Sequence, residues 1–343
     1  MQYRVPVFNL ISKEYDYTVA YIENDKSTSE CLFKKMYLKT SKIGPFTFLT
    51  RKSRKLLNDY DVIITSQNFR FLDSILIGLF RTKFKTIGWN IGIRASYTKN
   101  YDALREHTVL DWLYGYLMFK FDALIFYMEE SKKFWQDKNL NNVFVAPNTT
   151  EVAPIEFMPE LKKDFLFVGT LYKSKGLDKL INSYKKVADR LSSIPMLHIV
   201  GGGAERNLIE NMVEELGLAG KVCFHGPIYD EEVLAKRFQS ALLCISPNQA
   251  GLSVPKSMGY GVTFVSRKDS ITGGEIYHIT NNVNGVLYSE DDDLAEIMYD
   301  SVTNPSKYIE IGKRAKKYYM QHATPQVMAK GAISAIEFVV NSI

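Results

Sequence analysis

The sequence is poor in the residues that build disulfide and metal sites. Its 343 residues hold only three cysteines, Cys31, Cys223 and Cys244. That is too few for a disulfide framework, and no CxxC or Cys/His spacing reads as a zinc motif. Cys223 and Cys244 lie in the apolar runs KVCFHG and ALLCIS, where buried reduced thiols are expected, as in a reducing cytoplasm. The five histidines are scattered and form no HExxH. No stretch reaches the ~18 apolar residues of a membrane span. The nearest, VLDWLYGYLMFKFDALIFYM, is broken by Asp111, Lys120 and Asp122. The opening MQYRVPVFNL lacks a charged start followed by an apolar core, so no signal peptide is read. Tandem repeats and low-complexity tracts are missing too, which excludes solenoids. What remains is an ordinary globular composition, 46% hydrophobic and 24% charged.

The length suits two domains. Residues 1–150 carry 22 Lys/Arg against 15 Asp/Glu, whereas the remainder is nearly balanced. A basic first half suggests an anionic partner there, with nucleic acid, anionic lipid and pyrophosphate all open. Short apolar runs alternate with amphipathic stretches. Strands are expected at 17–22, 46–50, 61–66, 85–90, 123–128 and 142–147, with helices such as FLDSILIGLFRTKF (71–84) between them. PNTTEVAPIEFMPELKKD (147–164) breaks the rhythm and reads as a linker. The alternation then resumes, with strands at 165–170, 196–201, 221–226, 241–246, 263–267 and 285–288, and the tail from 292 is helical. This pattern predicts two doubly wound α/β domains of Rossmann type facing a cleft, with ligands at strand carboxyl ends.

Three small-residue loops follow strands of the second half. In VGTLYKSKG a strand ends at Gly169, and Lys175-Gly176 opens a helix. Unpaired N–H groups and a lysine there make an anion site. IVGGGAERN is not GxGxxG, because Arg206 fills the last position, so a turn that lets a ligand approach the backbone is expected instead of a nicotinamide site. In SPNQAGLSVPKSMGYG, Gly251 is expected to permit an unusual backbone angle, and Leu252, Ser253 and Val254 to start a helix whose N–H groups point into the cleft.

The order FLFVGTLYKSKGLDKLINSY, LHIVGGGAERNLI, KVCFHGPI, SPNQAGLSVPKSMGYGV, NNVNGVLY resembles the retaining glycosyltransferases of family four, of GT-B architecture. The likeness runs over about 160–290. YRVPVFNLISKEYDYTVAYI and VFVAPNTT resemble first-domain segments more loosely. The resemblance implies an acceptor-side domain over 1–150, a donor-nucleotide domain over 151–322, and a helix at 323–343 returning to the first domain. It also implies a first strand before Tyr3, for which two residues leave no room. A sugar would pass from a nucleotide-sugar donor to a lipid-linked or polysaccharide acceptor with retention, without metal or other cofactor and with no nucleic-acid partner. Lys175 would hold the diphosphate beside Gly169 and Thr170. Ile228 would meet the base, and Gly251, Leu252 and Ser253 would face phosphate and sugar, with Glu275 nearby. On the acceptor side it points to Asn90 and Arg94, and it assigns no catalytic residue.

The chain departs from that pattern. Thr170 stands where the family has an arginine, Ile91 where a histidine is frequent, and Asn248 and Lys256 where two glutamates grip sugar and ribose. Asn248 can donate and accept, whereas Lys256 only donates. The leading expectation is surface-glycan (capsule or lipopolysaccharide) assembly in the cytoplasm, with docking on an anionic inner membrane face. That docking would use the apolar stripe and basic end of 70–85. The alternatives are a non-catalytic GT-B subunit that binds a partner transferase or glycan, and a nucleotide-sugar epimerase, which fits the loops less well.

Overall fold

The computed structural model describes residues 2–22, 30–68, 70–79, 83–93, 109–154 and 162–342. They divide into two compact units. One holds the described residues up to Asn148 together with those from Thr324 onward, and the other extends from Thr149 to Ala323.

In the first unit, Pro6 sits in the opening turn of helix α1 (Val5–Ile11), where a missing N–H costs nothing. Strands β1 (Thr18–Tyr21) and β2 (Lys34–Tyr37) form a separate parallel pair. The run FTFLT does not join the parallel sheet. It forms β4 (Phe46–Leu49) of an antiparallel hairpin with β3 (Thr40–Ile43), joined by the two-residue loop Gly44-Pro45. Helix α2 (Arg51–Leu56) follows, its first turn capped by Thr50. Strands β5 (Val62–Thr65), β6 (Lys85–Asn90), β7 (Ala123–Phe126) and β8 (Val143–Val145) make a four-stranded parallel sheet in sequence order. The long helix expected over 71–84 is replaced by a four-residue α3 (Asp73–Leu76) and one tighter turn to Leu79. Ile75 and Phe84 are buried and Lys85 pairs with Asp122 at 3.5 Å, so the membrane-docking stripe does not form as a helix. Phe80 and Arg81 lie outside the described residues. Helices α4 (Val109–Met118) and α5 (Glu129–Gln136) pack on one sheet face through Tyr114, Met118 and Trp135. On the other face, α1 and the C-terminal helix Pro325–Val340 pack through Val7, Ile11, Met328, Ala332 and Ala335. Trp112 and Tyr116 stay exposed on α4, as does Phe119 just beyond it.

The second unit is a six-stranded parallel sheet of β9 (Asp164–Val168), β10 (Leu197–Val200), β11 (Val222–Gly226), β12 (Ala241–Ile245), β14 (Thr263–Arg267) and β16 (Val286–Tyr288). A small pair, β13 (Gln249–Ala250) and β15 (Ile271–Thr272), lies beside it. The spatial order is β11-β10-β9-β12-β14-β16, the doubly wound order that reverses between β9 and β12. β9 shows why the sheet is central. Phe165 and Phe167 enter one core and Leu166 the other, and none is exposed, so neither face meets water. Truncating such a phenylalanine to alanine costs about 3–5 kcal/mol, comparable to a large share of a domain's stability. Helices α6 (Leu177–Ala188), α7 (Arg206–Glu215) and α10 (Asp291–Thr303) cover the first core, and α8 (Glu231–Ser240) and α9 (Ser253–Gly259) the second. Helix α11 (Pro305–His322) reaches both. Cys244 is fully buried, and burial pushes its thiol up to about 12. Cys223, by contrast, is only partly buried, because β11 is an edge strand.

Candidate functional site

The reversal point of the second sheet brings two loops together. After β9, Gly169 leads into a single tight turn, Lys173–Lys175, that ends at Gly176 with φ 69°, and α6 starts there. Gly176 has no substitute: a Cβ would stand 2.6 Å from the Asn248 amide nitrogen, in a conformation L side chains avoid. Asn248 belongs to the loop after β12, and its N–H donates to the Lys175 carbonyl at 3.3 Å. The loops are thus stitched to each other at the start of α6.

A pocket of about 270 Å³ opens beside this seam, lined by Thr150, Val168, Gly169, Thr170, Lys175, Leu252, Ser253 and Lys256. Its walls carry two lysines and no carboxylate. Burial pulls the Lys175 ammonium below the ordinary lysine range, and the nearby Glu275 carboxylate opposes that shift. Glu275 is itself buried, accepting the Gly273 N–H at 2.8 Å and the Thr272 hydroxyl at 3.2 Å. The buried Ser253 hydroxyl has no hydrogen-bond partner among the described residues. A buried polar group left unmade costs about 1–3 kcal/mol, which a ligand group would recover. Ser253 also begins α9, where the Val254 N–H is spent on the Gly251 carbonyl at 2.9 Å and Pro255 has no N–H, so of the first three helix positions only Ser253 keeps an N–H for a ligand.

Six of the residues singled out from sequence line this pocket: Gly169, Thr170, Lys175, Leu252, Ser253 and Lys256. Asn248 and Glu275 stand behind Lys175 instead of in the wall, and Ile228 packs against the core beneath α8 and α9. Gly251 is a correction. Its φ is not positive and a Cβ there would meet nothing within 4 Å, so no unusual backbone angle requires glycine. The triple-glycine loop is a second correction. A Cβ on Gly201 would lie 1.8 Å from the Gly169 carbonyl oxygen, so this glycine lets two protein loops touch, not a ligand.

Glu231 was not legible as a site residue. It begins α8, and both its carboxylate oxygens meet the Lys256 amine, at 2.6 and 2.5 Å. Lys256 is only 8% exposed, whereas the Glu231 side chain is 51% exposed. The lysine that stands at a carboxylate position therefore carries a carboxylate on its end. Only the start of a helix was visible in IYDEEVL.

In the first unit, Asn90 is buried and its amide is fully engaged. It donates to Gln67 and accepts from the Gly92 N–H at 2.5 Å and the Tyr114 hydroxyl at 3.0 Å. Arg94 lies outside the described residues.

Comparison with known proteins places the fold. The family model for glycosyl transferases group 1 matches residues 142–318. An uncharacterized glycosyltransferase of Haemophilus influenzae is 24% identical over 201 residues, 57% of this chain and 56% of that protein, so the chain spans little more than half of that relative's length. Among solved structures, sucrose-phosphate synthase from Thermosynechococcus elongatus superposes with a TM-score of 0.73 at 16% identity, over 98% of this chain and 92% of its own. Anabaena HepE, solved with UDP and glucose, gives a TM-score of 0.67 at 15% identity, over 97% and 95%. At these identities the structures establish the shared fold, the GT-B architecture of two Rossmann-like domains. With its second unit and the end of its first covered by the family model, over half of its length, the chain belongs to the glycosyl transferases group 1 family.

Proposed function

We propose that this protein transfers a sugar from a nucleoside diphosphate sugar to a glycan or lipid-linked acceptor, with retention of anomeric configuration, in surface-glycan assembly. The observation that carries the reading is the pocket wall: the partly desolvated Lys175 ammonium beside the unpartnered buried Ser253 hydroxyl, with Lys256 already paired to Glu231. As the glycosidic bond breaks, negative charge gathers on the departing diphosphate. Fixed donors in a partly desolvated pocket stabilise that charge without reorganising. Lys175 supplies the cation, and the Ser253 N–H and hydroxyl supply neutral donors. The cationic walls do this work without a pocket-bound divalent ion. Glu231, held by Lys256, offers the carboxylate that accepts hydrogen bonds from ribose hydroxyls. The acceptor belongs to the first unit. An anionic membrane surface is a partner for that unit when the acceptor is lipid-linked, although no helix among the described residues is long and apolar enough to cross a membrane.

One observation favours a second reading, a non-catalytic GT-B subunit. Asn248 and Lys256 replace two carboxylates, and Asn248 is turned to the loop seam, away from the pocket wall. A thermal-shift screen of UDP-, GDP- and ADP-sugars tests binding, since a ligand of the folded state raises the melting temperature. Slow hydrolysis of the selected donor without acceptor supports the enzyme. Binding without turnover, or no shift with any sugar nucleotide, refutes the enzyme and supports the subunit, which needs only a partner transferase or glycan.

A further inference from the structure

Away from the pocket, neighbouring strands β10 and β11 bring His198 to two metal-binding side chains, Cys223 and His225, from which the sequence separates it. His198 pairs in register with Cys223, and His225 lies two residues further along β11. Leu197, Ile199 and Phe224 face one core, so alternation puts His198, Cys223 and His225 on the other side of the sheet. The His198 Nδ1 and His225 Nε2 atoms are 3.0 Å apart, and with the Cys223 Sγ all three ligand atoms lie within 4.8 Å of one another. The second ring nitrogen of His198, Nε2, faces the Asp164 carboxylate of β9 at 3.6 Å, and both side chains are almost buried.

We infer that His198 Nδ1, His225 Nε2 and the Cys223 thiolate form a binding site for a divalent transition ion of the zinc class, with water as fourth ligand. Two imidazole nitrogens aimed at each other must share either a proton or a cation. Asp164 favours the proton of His198 on Nε2, which leaves the Nδ1 lone pair facing the site, the carboxylate–histidine–metal arrangement. Zinc–nitrogen bonds of about 2.0–2.1 Å in a tetrahedron put nitrogens about 3.3 Å apart, so the rings need part by only about 0.3 Å while the thiol closes in. On binding, the Cys223 S–H bond breaks, its proton leaves to solvent and a sulfur–metal bond forms. The proton shared between the rings moves to His225 Nδ1. The dication, the thiolate and the Asp164 carboxylate then sum to zero charge. The ion would tie edge strand β11 to β10 where a register shift at Ile199/Val200 interrupts their ladder. This site neither uses nor requires the anion pocket.

The test uses the full chain, stripped with a chelator and titrated with Zn²⁺ against a chromophoric chelator, and with Co²⁺ by absorption. One equivalent should bind and raise the melting temperature, and Co²⁺ should give a thiolate-to-metal charge-transfer band. Cys223→Ser should abolish the band and His225→Ala should weaken Zn²⁺ at least tenfold. Asp164→Asn should weaken it about 10–100-fold, and Cys31→Ser should change nothing. Should a variant fail to fold, X-ray absorption on the zinc-loaded wild type still reads the ligand set, which should contain one sulfur and two imidazoles. Sub-stoichiometric binding, a sulfur-free ligand set, or affinity lost on Cys31→Ser and kept on Cys223→Ser overturns the inference.

Discussion

The Lys256–Glu231 pair makes an asymmetric prediction. Lys256 is 8% exposed and the Glu231 side chain 51% exposed. Glu231→Gln strands an ammonium in the interior, whereas Lys256→Met leaves a carboxylate that water can reach. Removing one partner of a fully buried pair costs about 3–5 kcal/mol, and the half-exposed glutamate brings the expected loss for Glu231→Gln down to about 1–3 kcal/mol. Lys256→Met should cost less than about 1 kcal/mol, because the methionine stem keeps the packing. The double variant should match Lys256→Met, because Glu231 then has no buried charge to answer. Urea unfolding of the three variants decides the order. The role in ribose recognition has its own readout, calorimetry with UDP and 2′-deoxy-UDP. Wild type should prefer the ribonucleotide by roughly tenfold or more, the scale of a hydrogen bond to a charged group, and Glu231→Gln should erase the preference. Equal destabilisation by the two single variants would refute the burial argument. A preference that survives Glu231→Gln would refute the ribose assignment.

Two further predictions rest on backbone and burial. Gly176→Ala should lose about 1–2 kcal/mol from the left-handed conformation alone, and more from the displaced Asn248. Nucleotide affinity should fall with it, while a variant at exposed Gly217, also at positive φ, should lose stability without losing affinity. Burial beside Lys316 pushes Lys162 down to about 8. Between that value and an ordinary lysine pKa of about 10.4, the unfolded chain holds a proton that the folded chain has released, so stability gains from rising pH across that window. Lys162→Met should flatten this gain and stabilise the protein at pH 7, as read by denaturant midpoints across the pH range.

The second unit was legible because its strands are buried on both faces and read as unbroken apolar runs, with FLFV and ALLCI the clearest. The first was harder. KKMY and TSKI are largely exposed strands with no apolar pattern, and FTFL reads alike as a sheet strand or a hairpin arm. The apolar spacing of 71–84 looked helical, yet its buried side chains are held by short turns and the β4 hairpin. In the site, Lys175, Ser253 and Lys256 could be placed because each follows a strand end at the sheet's reversal. Glu231 could not, because only the fold brings it to Lys256, 25 positions away. The same limit hid the His198–Cys223–His225 cluster: Cys223 and His225 are two residues apart, but His198 is 27 positions from His225 and joins them only through β pairing.

Calorimetric titration of the wild type and Lys175→Ala with a nucleoside diphosphate tests the central claim most directly. The buried ammonium should hold the diphosphate through a charge-assisted hydrogen bond, so the variant should bind about 10–100-fold more weakly, a loss of about 1.5–3 kcal/mol. Wild-type affinity should fall with rising pH earlier than an ordinary lysine would allow, since burial lowers the Lys175 pKa, and the variant should lack that slope. Unchanged affinity in Lys175→Ala, with the same pH profile as wild type, would contradict the account.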